Sequence, residues 1–392
     1  MSNTQTKNVP ELRFPGFEGE WEEKKLESII KVNSGKDYKH LDKGDIPVYG
    51  TGGYMTSVSE PLSEIDAVGI GRKGTINKPY LLEAPFWTVD TLFYCTPKKE
   101  TDILFILSLF RKINWKVYDE STGVPSLSKQ TINKINRFVP TNKEQQKIGK
   151  FFSKLDRQIE LQEQKLELLQ QQKKGYMQKI FSQELRFKDE NGNDYPEWEN
   201  VMLQKVLKDK TEGIKRGPFG GALKKDIFVE SGYAVYEQRN AIYDISNFRY
   251  YINENKYKEM QSFSVQPNDI IMSCSGTIGR LALIPHNYTK GIINQALIRF
   301  RTNHKIRSEF FLIFMRSNQM QRKILEANPG SAITNLVPVK ELKLIPFPLP
   351  VKFEQDKISQ FIHIINRRIE QSEKKIESLK NRKQGFLQKL FV

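Results

Sequence analysis

Two cysteines, Cys95 and Cys274, are all that 392 residues contain, and they show no metal-ligand spacing. A disulfide framework is excluded. The four histidines, His40, His286, His304 and His363, are scattered, and no paired carboxylates stand beside a lysine in a nuclease-like pattern. There is no G-x-x-x-x-G-K-[ST] phosphate loop and no Asn-Pro-Pro-aromatic stretch of the kind used on a flipped adenine; Asn328, Pro329 and Gly330 come nearest and lack the aromatic. Catalysis by this chain alone has no visible carrier. No apolar run is long enough to span a membrane, and the polar start MSNTQTKNVPE has no charged-then-apolar signal pattern, so a cytoplasmic chain is expected.

What the chain has in excess is positive charge. Lys and Arg number 62 against 46 Asp and Glu, a net charge of +16, which makes a polyanion the first partner to consider. The charge is uneven: about +11 lies in 201–353, about +7 in two later-defined helical stretches together and about +2 before residue 144. A nucleic-acid surface in the first part would therefore be a local patch. At 38% hydrophobic, the chain has material for two or more domains with their own cores.

One stretch occurs twice. Residues 144–181 read EQQKIGKFFSKLDRQIELQEQKLELLQQQKKGYMQKIF and 354–391 read EQDKISQFIHIINRRIEQSEKKIESLKNRKQGFLQKLF, aligned without a gap and identical at about 17 of about 38 positions. Each carries the three-and-four spacing of a coiled-coil seam: Ile148, Phe152, Leu155, Ile159, Leu166, Leu169, Tyr176 and Ile180, then Ile358, Ile362, Ile365, Ile369, Ile376, Leu379, Phe386 and Leu390. Each predicts a helix roughly 57 Å long whose narrow apolar face needs a partner. The other copy supplies one, and antiparallel pairing gives a pseudo-twofold molecule with a domain at either end of a rod. The seam breaks at equivalent places, Gln162 and Ser372, then Lys173 and Lys383, where polar residues fix register or snorkel. Gly175 and Gly385 suggest a close backbone approach or a slight kink.

The repeat extends further. ELRF opens two passages, at Glu11 and Glu184, and Trp21 and Trp198 follow in the same Glu-Trp-Glu context. Residues 1–10 look like a disordered leader. Between leader and helix, and between the helices, short β-branched and aromatic runs are bounded by Gly, Pro, Asn and Asp. Each region adds one helical piece, around 102–117 and 308–326, which makes each an α+β domain. Gly-Thr-Ile recurs at Gly74 and Gly276, and both regions end in a proline-bearing strand, NRFVPTNKEQ and IPFPLPVKFEQ.

In order and duplication these motifs, from ELRF through IGRKGT, STGVPSLSKQTINKINRFVP, the EQQKI helix, RGPFGGALKKD, SCSGTIG and the closing EQDKI helix, resemble the specificity subunits of type I restriction-modification systems. The resemblance implies a leader (1–10), a first target-recognition domain (11–143), a first conserved helix (144–182), a second target-recognition domain (183–353) and a second conserved helix (354–392). It implies double-stranded DNA with a bipartite site as ligand, each domain reading one half across a spacer that the helices set. It further implies assembly with two modification subunits and with restriction subunits. S-adenosylmethionine, ATP and Mg²⁺ are then expected on those partners and no cofactor, metal or catalytic residue on this chain.

Phosphate contacts should come from Lys and Arg, sequence choice from Arg, Lys, Asn, Gln, Ser or Thr at base edges. In the first domain the candidates are Lys36 in GKDYKH, Arg72, Lys73 and Thr75 in GIGRKGT, and Ser121, Thr122 and Lys129 around a short helix that Ser128 could cap, a phosphate seat or a plain cap. In the second they are Arg216, Lys224 and Lys225 in RGPFGGALKK, Gln238, Arg239 and Asn240 in QRN, and Ser273, Ser275, Thr277 and Arg280 in SCSGTIGR. Solvated turns are the plain alternative at each loop. Tyr233, Tyr236, Tyr243, Tyr250, Tyr251 and Tyr257 are stacking candidates or half-buried strand residues. Two rivals to a DNA reader remain: a coiled-coil scaffold whose end domains bind proteins, and a nuclease or methyltransferase with an unrecognised site.

Overall fold

The computed structural model describes residues 8–219, 221–326 and 338–392. The chain divides into two units, residues up to 166 with 371–392, and residues 167–370. The division falls inside both long helices, Asn142–Phe181 and Lys352–Lys389, so each unit holds part of each helix.

In the first unit the strands are β1 (Glu22–Lys25), β2 (Ile30–Ser34), β3 (Ile46–Gly50), β4 (Gly53–Val58), β5 (Ala67–Gly71), β6 (Tyr80–Leu82), β7 (Trp87–Thr88), β8 (Leu92–Pro97) and β9 (Asn136–Val139). They form a four-stranded sheet in the order β2-β8-β5-β6, a three-stranded sheet β4-β3-β7 and the pair β1-β9. β5 is buried along its whole length, as its run AVGIG demands. Helix Ile103–Lys112, started by the Asp102 carboxylate on the Phe105 N–H, packs its buried face on this sheet. Trp21, Phe105 and Phe152 meet Phe391, the end of the second long helix, with centroids 5.6–6.2 Å from it.

The second unit repeats the plan with β10 (Glu199–Met202), β11 (Ile214–Arg216), β12 (Phe228–Val229), β13 (Tyr233–Tyr236), β14 (Tyr251–Ile252), β15 (Ile270–Ser273), β16 (Leu281–Leu283), β17 (Gly291–Ile293), β18 (Leu297–Phe300) and β19 (Pro346–Leu349). Its sheets run β11-β18-β15-β16 and β12-β14-β13-β17, with β10 paired to β19. The parallel pair β13-β17 matches β3-β7. The expected single helix over 308–326 is two, Ser308–Met315 and Asn318–Glu326; Ser317 restarts the second by accepting the Met320 N–H on its hydroxyl at 3.3 Å. Phe181, the end of the first long helix, packs among Trp198, Phe310 and Phe314.

Within each unit the helix segments run antiparallel. In the first, Phe151 meets Phe386 at 5.0 Å, and Gln162 donates to the buried Ser372 hydroxyl at 2.7 Å. The two uncharged seam breaks are therefore one polar pair that fixes register. In the second, Tyr176 meets Phe361 at 5.0 Å. Ile148, Phe152, Leu155, Ile159, Ile180, Ile358, Ile362, Ile365, Ile376, Leu379 and Leu390 are buried, whereas Leu166, Leu169 and Ile369 are half-buried. Near the ends the seam moves on by one residue: Leu387 is buried beside a half-buried Phe386, and Met177 is more covered than the exposed Tyr176.

Of the two readings of Gly175 and Gly385, a close backbone approach or a slight kink, the close approach is absent among the described residues, since a Cβ at either would meet nothing within 4 Å. Gly175→Ala and Gly385→Ala should each raise unfolding free energy by about 1 kcal/mol, read from urea denaturation. The last residues of the expected leader, 8–10, are tied to the fold. Residues 1–7 lie outside the described residues, but Asn8 accepts the Trp21 N–H at 2.8 Å and Pro10 is buried.

ELRF and the glutamate that opens each long-helix repeat are one device. Arg13 holds the buried Glu144 by two bonds of 2.8 and 2.7 Å, and its remaining N–H groups reach the Gly19 and Glu18 carbonyls. Arg186 holds the buried Glu354 at 3.2 and 2.9 Å and reaches the Tyr195 and Pro196 carbonyls. Bonding to the carboxylates raises both guanidinium pKa values further. The next residue repeats too. Gln145 accepts the Asp102 N–H and donates to the Pro140 carbonyl; Gln355 accepts the Arg307 N–H and donates to the Pro350 carbonyl. Cys95 and Cys274 are buried free thiols, their pKa pushed up by burial.

Candidate DNA-reading surfaces

At one end of the four-stranded sheet of the first unit, β2 and β5 stop opposite the start of β8. Gly35 donates to the Leu92 carbonyl at 3.1 Å, Lys36 to Thr88 at 2.8 Å and Arg72 to Thr91 at 2.8 Å. Gly74 donates to Pro125, and Leu127 donates back to Arg72. Lys36, Arg72, Lys73 and the 121–128 loop are thus gathered onto residues 88–92 and each other. Lys36, Arg72 and Lys73 are exposed and Thr75 is half-buried. The Arg72 guanidinium lies 5.9 Å from the Phe93 ring centroid, which aims it without neutralising it.

Of the two readings open near Ser121, a phosphate seat or a plain cap, the hydrogen bonds favour the cap, because the chain's own carboxylates Asp119 and Glu120 take the donors there. Asp119 accepts from the Ser121 N–H and hydroxyl and from the Ser126 N–H at 2.9–3.0 Å, which holds its pKa below the usual carboxylate range. Ser128 does cap helix Lys129–Lys134, accepting the Thr131 N–H, but its hydroxyl donates to Glu120. Ser121 therefore serves the turn. Thr122 is exposed and Lys129 half-buried.

The second unit assembles the matching end. Gly217 donates to the Leu297 carbonyl and Cys274 to Ala296, both at 2.9 Å, as Gly35 and Arg72 do in the first. Arg72 thus has the buried Cys274 as its counterpart, and Lys73 has Ser275. The cations around this end are the half-buried Arg216 and the exposed Arg280. Gln238 donates to the Ser275 and Thr277 carbonyls and secures that loop. Ser275 is half-buried and Thr277 exposed.

Two candidates are withdrawn from any role at base edges. Asn240 is buried and fully used: its oxygen accepts the Glu237 N–H at 2.8 Å, and its amide donates to the Ile245 and Asn247 carbonyls. Ser273 is buried, donating to the Thr277 carbonyl and accepting the Arg280 N–H. Residue type alone suited both to recognition; burial decides otherwise. Arg239 is half-buried, and Lys224 and Lys225 are exposed on a separate loop. Among the tyrosines, Tyr233 stacks on Tyr257, Tyr250 on Phe228, and the buried Tyr236 donates to the Thr289 carbonyl; Tyr243 stays exposed.

Sequence reasoning missed Phe219. It is 84% exposed on the wall of a cleft of about 420 Å³ that Arg216, Met260 and Phe263 also line. An exposed aromatic beside a cation suits a base or sugar face. The Pro-Phe step between glycines in RGPFGG was the available signal. Among the described residues no group of three or more His, Cys, Asp or Glu is placed to hold a metal, and no helix is long and apolar enough to cross a membrane. Asn328, Pro329 and Gly330 lie outside the described residues.

A duplicated α+β scaffold that ends each main sheet in a basic loop cluster defines a class of protein built to meet a polyanion twice. The family described as type I restriction modification DNA specificity domain matches residues 18–171 and 220–381, and the chain belongs to it. The type I restriction enzyme MjaVIII specificity subunit of Methanocaldococcus jannaschii is 24% identical over 84% of this chain and 76% of its own length. The MjaX specificity subunit of the same organism is 25% identical over 74% of this chain and 67% of its own. In fold, the chain is similar to the type I restriction-modification S subunit of M. genitalium, with a TM-score of 0.63 at 15% identity over 98% of this chain and 99% of that one. It is also similar to a chain from a structure of type I R-M complex assembly and conformational transition, with a TM-score of 0.57 at 15% identity over 94% and 97%. The chain is a specificity subunit with two DNA recognition domains.

Proposed function

We propose that this subunit reads an asymmetric two-part DNA site, one half with each domain, and performs no chemistry itself. The observation that carries this reading is the recurrence of one construction in both units: loops bearing cations, Lys36, Arg72 and Lys73 in one and Arg216 and Arg280 in the other, seated by backbone hydrogen bonds on the same end of the main sheet. Lys36, Arg72 and Lys73 in one domain, and Arg216 and Arg280 in the other, supply phosphate attraction. Thr75, Ser275, Thr277 and Phe219 are the residues we assign to base edges and faces, with Gln238 positioning the Ser275–Thr277 loop. Two modification subunits dock on the long helices and carry S-adenosylmethionine, restriction subunits bring ATP and Mg²⁺, and the helix pair sets the spacer.

Co-expression with the modification subunit of its own system, followed by mapping of methylated adenines, tests this. A single bipartite motif is expected, and exchange of residues 11–143 for those of another specificity subunit should change one half only. One heptad added to both long helices lengthens each by about 10 Å, or about three base pairs of spacer, with both halves kept. A stable complex without methylation refutes the reading function. No complex at all, with binding indifferent to salt, favours a protein scaffold.

A further inference from the structure

The two charged breaks in the seams, Lys383 and Lys173, are equivalent by alignment but differently compensated. In the first unit Lys383 and Arg111 both pair with Asp156, Lys383 at 2.5 Å. The cleft there measures about 430 Å³. In the second unit the counterpart of Arg111 is Arg316, because Asp102 and Arg307 occupy the same helix-start position on Gln145 and Gln355. The residue aligned with Asp156 is Asn366. The carboxylate has been lost while both cations remain.

The corresponding cleft is larger and more positive, about 920 Å³, and lies between helix Asn318–Glu326 and the last part of the first long helix. Lys173, Lys174, Arg316, Arg322 and Lys323 line it, with Glu326 the acid among its lining residues. Among the described residues Arg316 pairs with one carboxylate, Asp244 at 3.1 Å. Lys173 is half-buried, and burial together with the like charge of Arg316 lowers its pKa. The floor is apolar, formed by Met177, Phe181 and Ile369. Cations over an apolar floor suit an acidic, partly apolar peptide segment better than a sugar-phosphate backbone, which offers nothing to the floor.

We infer that this cleft receives an acidic segment of the modification subunit, whose carboxylate takes between Lys173 and Arg316 the place that Asp156 fills in the first unit. The inference rests on the complex proposed above. Asn366→Asp in the full chain supplies the carboxylate from within, and Arg322→Glu reverses an exposed wall residue; each should weaken binding of the purified modification subunit at least about tenfold. Asn366→Ala, which adds no charge, should leave it unchanged. Parent-level binding of the modification subunit by both charge variants overturns the inference. So does weaker binding of a non-specific 30-base-pair duplex with subunit binding intact, which assigns the cleft to DNA phosphates. If the wild-type chain binds no modification subunit, the functional reading falls and this inference with it.

Discussion

Arg186→Ala is expected to cost the second unit about 3–5 kcal/mol, because it strands a carboxylate that the fold has removed from water. The Glu354 side chain is 0% exposed, and its oxygens accept two bonds from Arg186 and one of 2.8 Å from the Trp198 indole. Without the guanidinium, a single neutral donor faces a buried charge, and the Tyr195 and Pro196 carbonyls lose their donor as well. The position of Glu354 in the first helical turn offsets a fraction of this through the helix dipole. Arg13→Ala should act likewise on the first unit through Glu144. There, among the described residues, the indole of Trp21 has no hydrogen-bond partner, so even that neutral donor is missing. Hydrogen exchange resolved by unit is the suitable measurement, since two units need not unfold together. Arg186→Ala should accelerate exchange within residues 167–370 far more than in the rest. A loss below about 1 kcal/mol would mean that water compensates Glu354 and that the aromatic cluster of Phe181, Trp198, Phe310 and Phe314 carries this junction.

That clamp marks the limit of what could be read from letters alone. The repeat, the long helices and the seam were legible because they obey short-range periodicity, and burial of Ile148, Phe152, Ile358 and Ile362 follows directly from it. ELRF and the helix-opening EQ were each visible as repeats, yet nothing local joins residues separated by more than a hundred positions. The sheets were legible as strands and turns but not as orders, because β2-β8-β5-β6 is made by long-range pairing that the two diverged domains no longer advertise in common residues. At the surfaces, residue type misled where burial decides: Asn240 and Ser273 have suitable donors that the chain spends on itself. Gln162 and Ser372 looked like two defects and are one bond.

Gly35→Ala and Gly217→Ala should each disable one half of DNA recognition while leaving non-specific attraction to DNA nearly intact. A Cβ on Gly35 would overlap the Val89 carbonyl, and one on Gly217 would overlap that of Asn294. Both obstacles are backbone, so no rotamer change relieves them and the strand end must move away. Such overpacking costs about 1–3 kcal/mol, and the motion breaks the bonds that seat the loops, Gly35 and Lys36 on Leu92 and Thr88, or Gly217 on Leu297. The cations stay on the surface, so salt-dependent binding of random duplex persists. Their register against base edges is lost. In complex with the modification subunit, affinity for the cognate duplex should fall about 10- to 100-fold for either variant. Duplexes altered in one half-site separate the two effects: Gly35→Ala should become indifferent to changes in the half read by the first domain and keep discrimination in the other, and Gly217→Ala the reverse. Parent discrimination in both halves would show that the loops absorb the methyl group, and would place sequence reading away from these sheet ends.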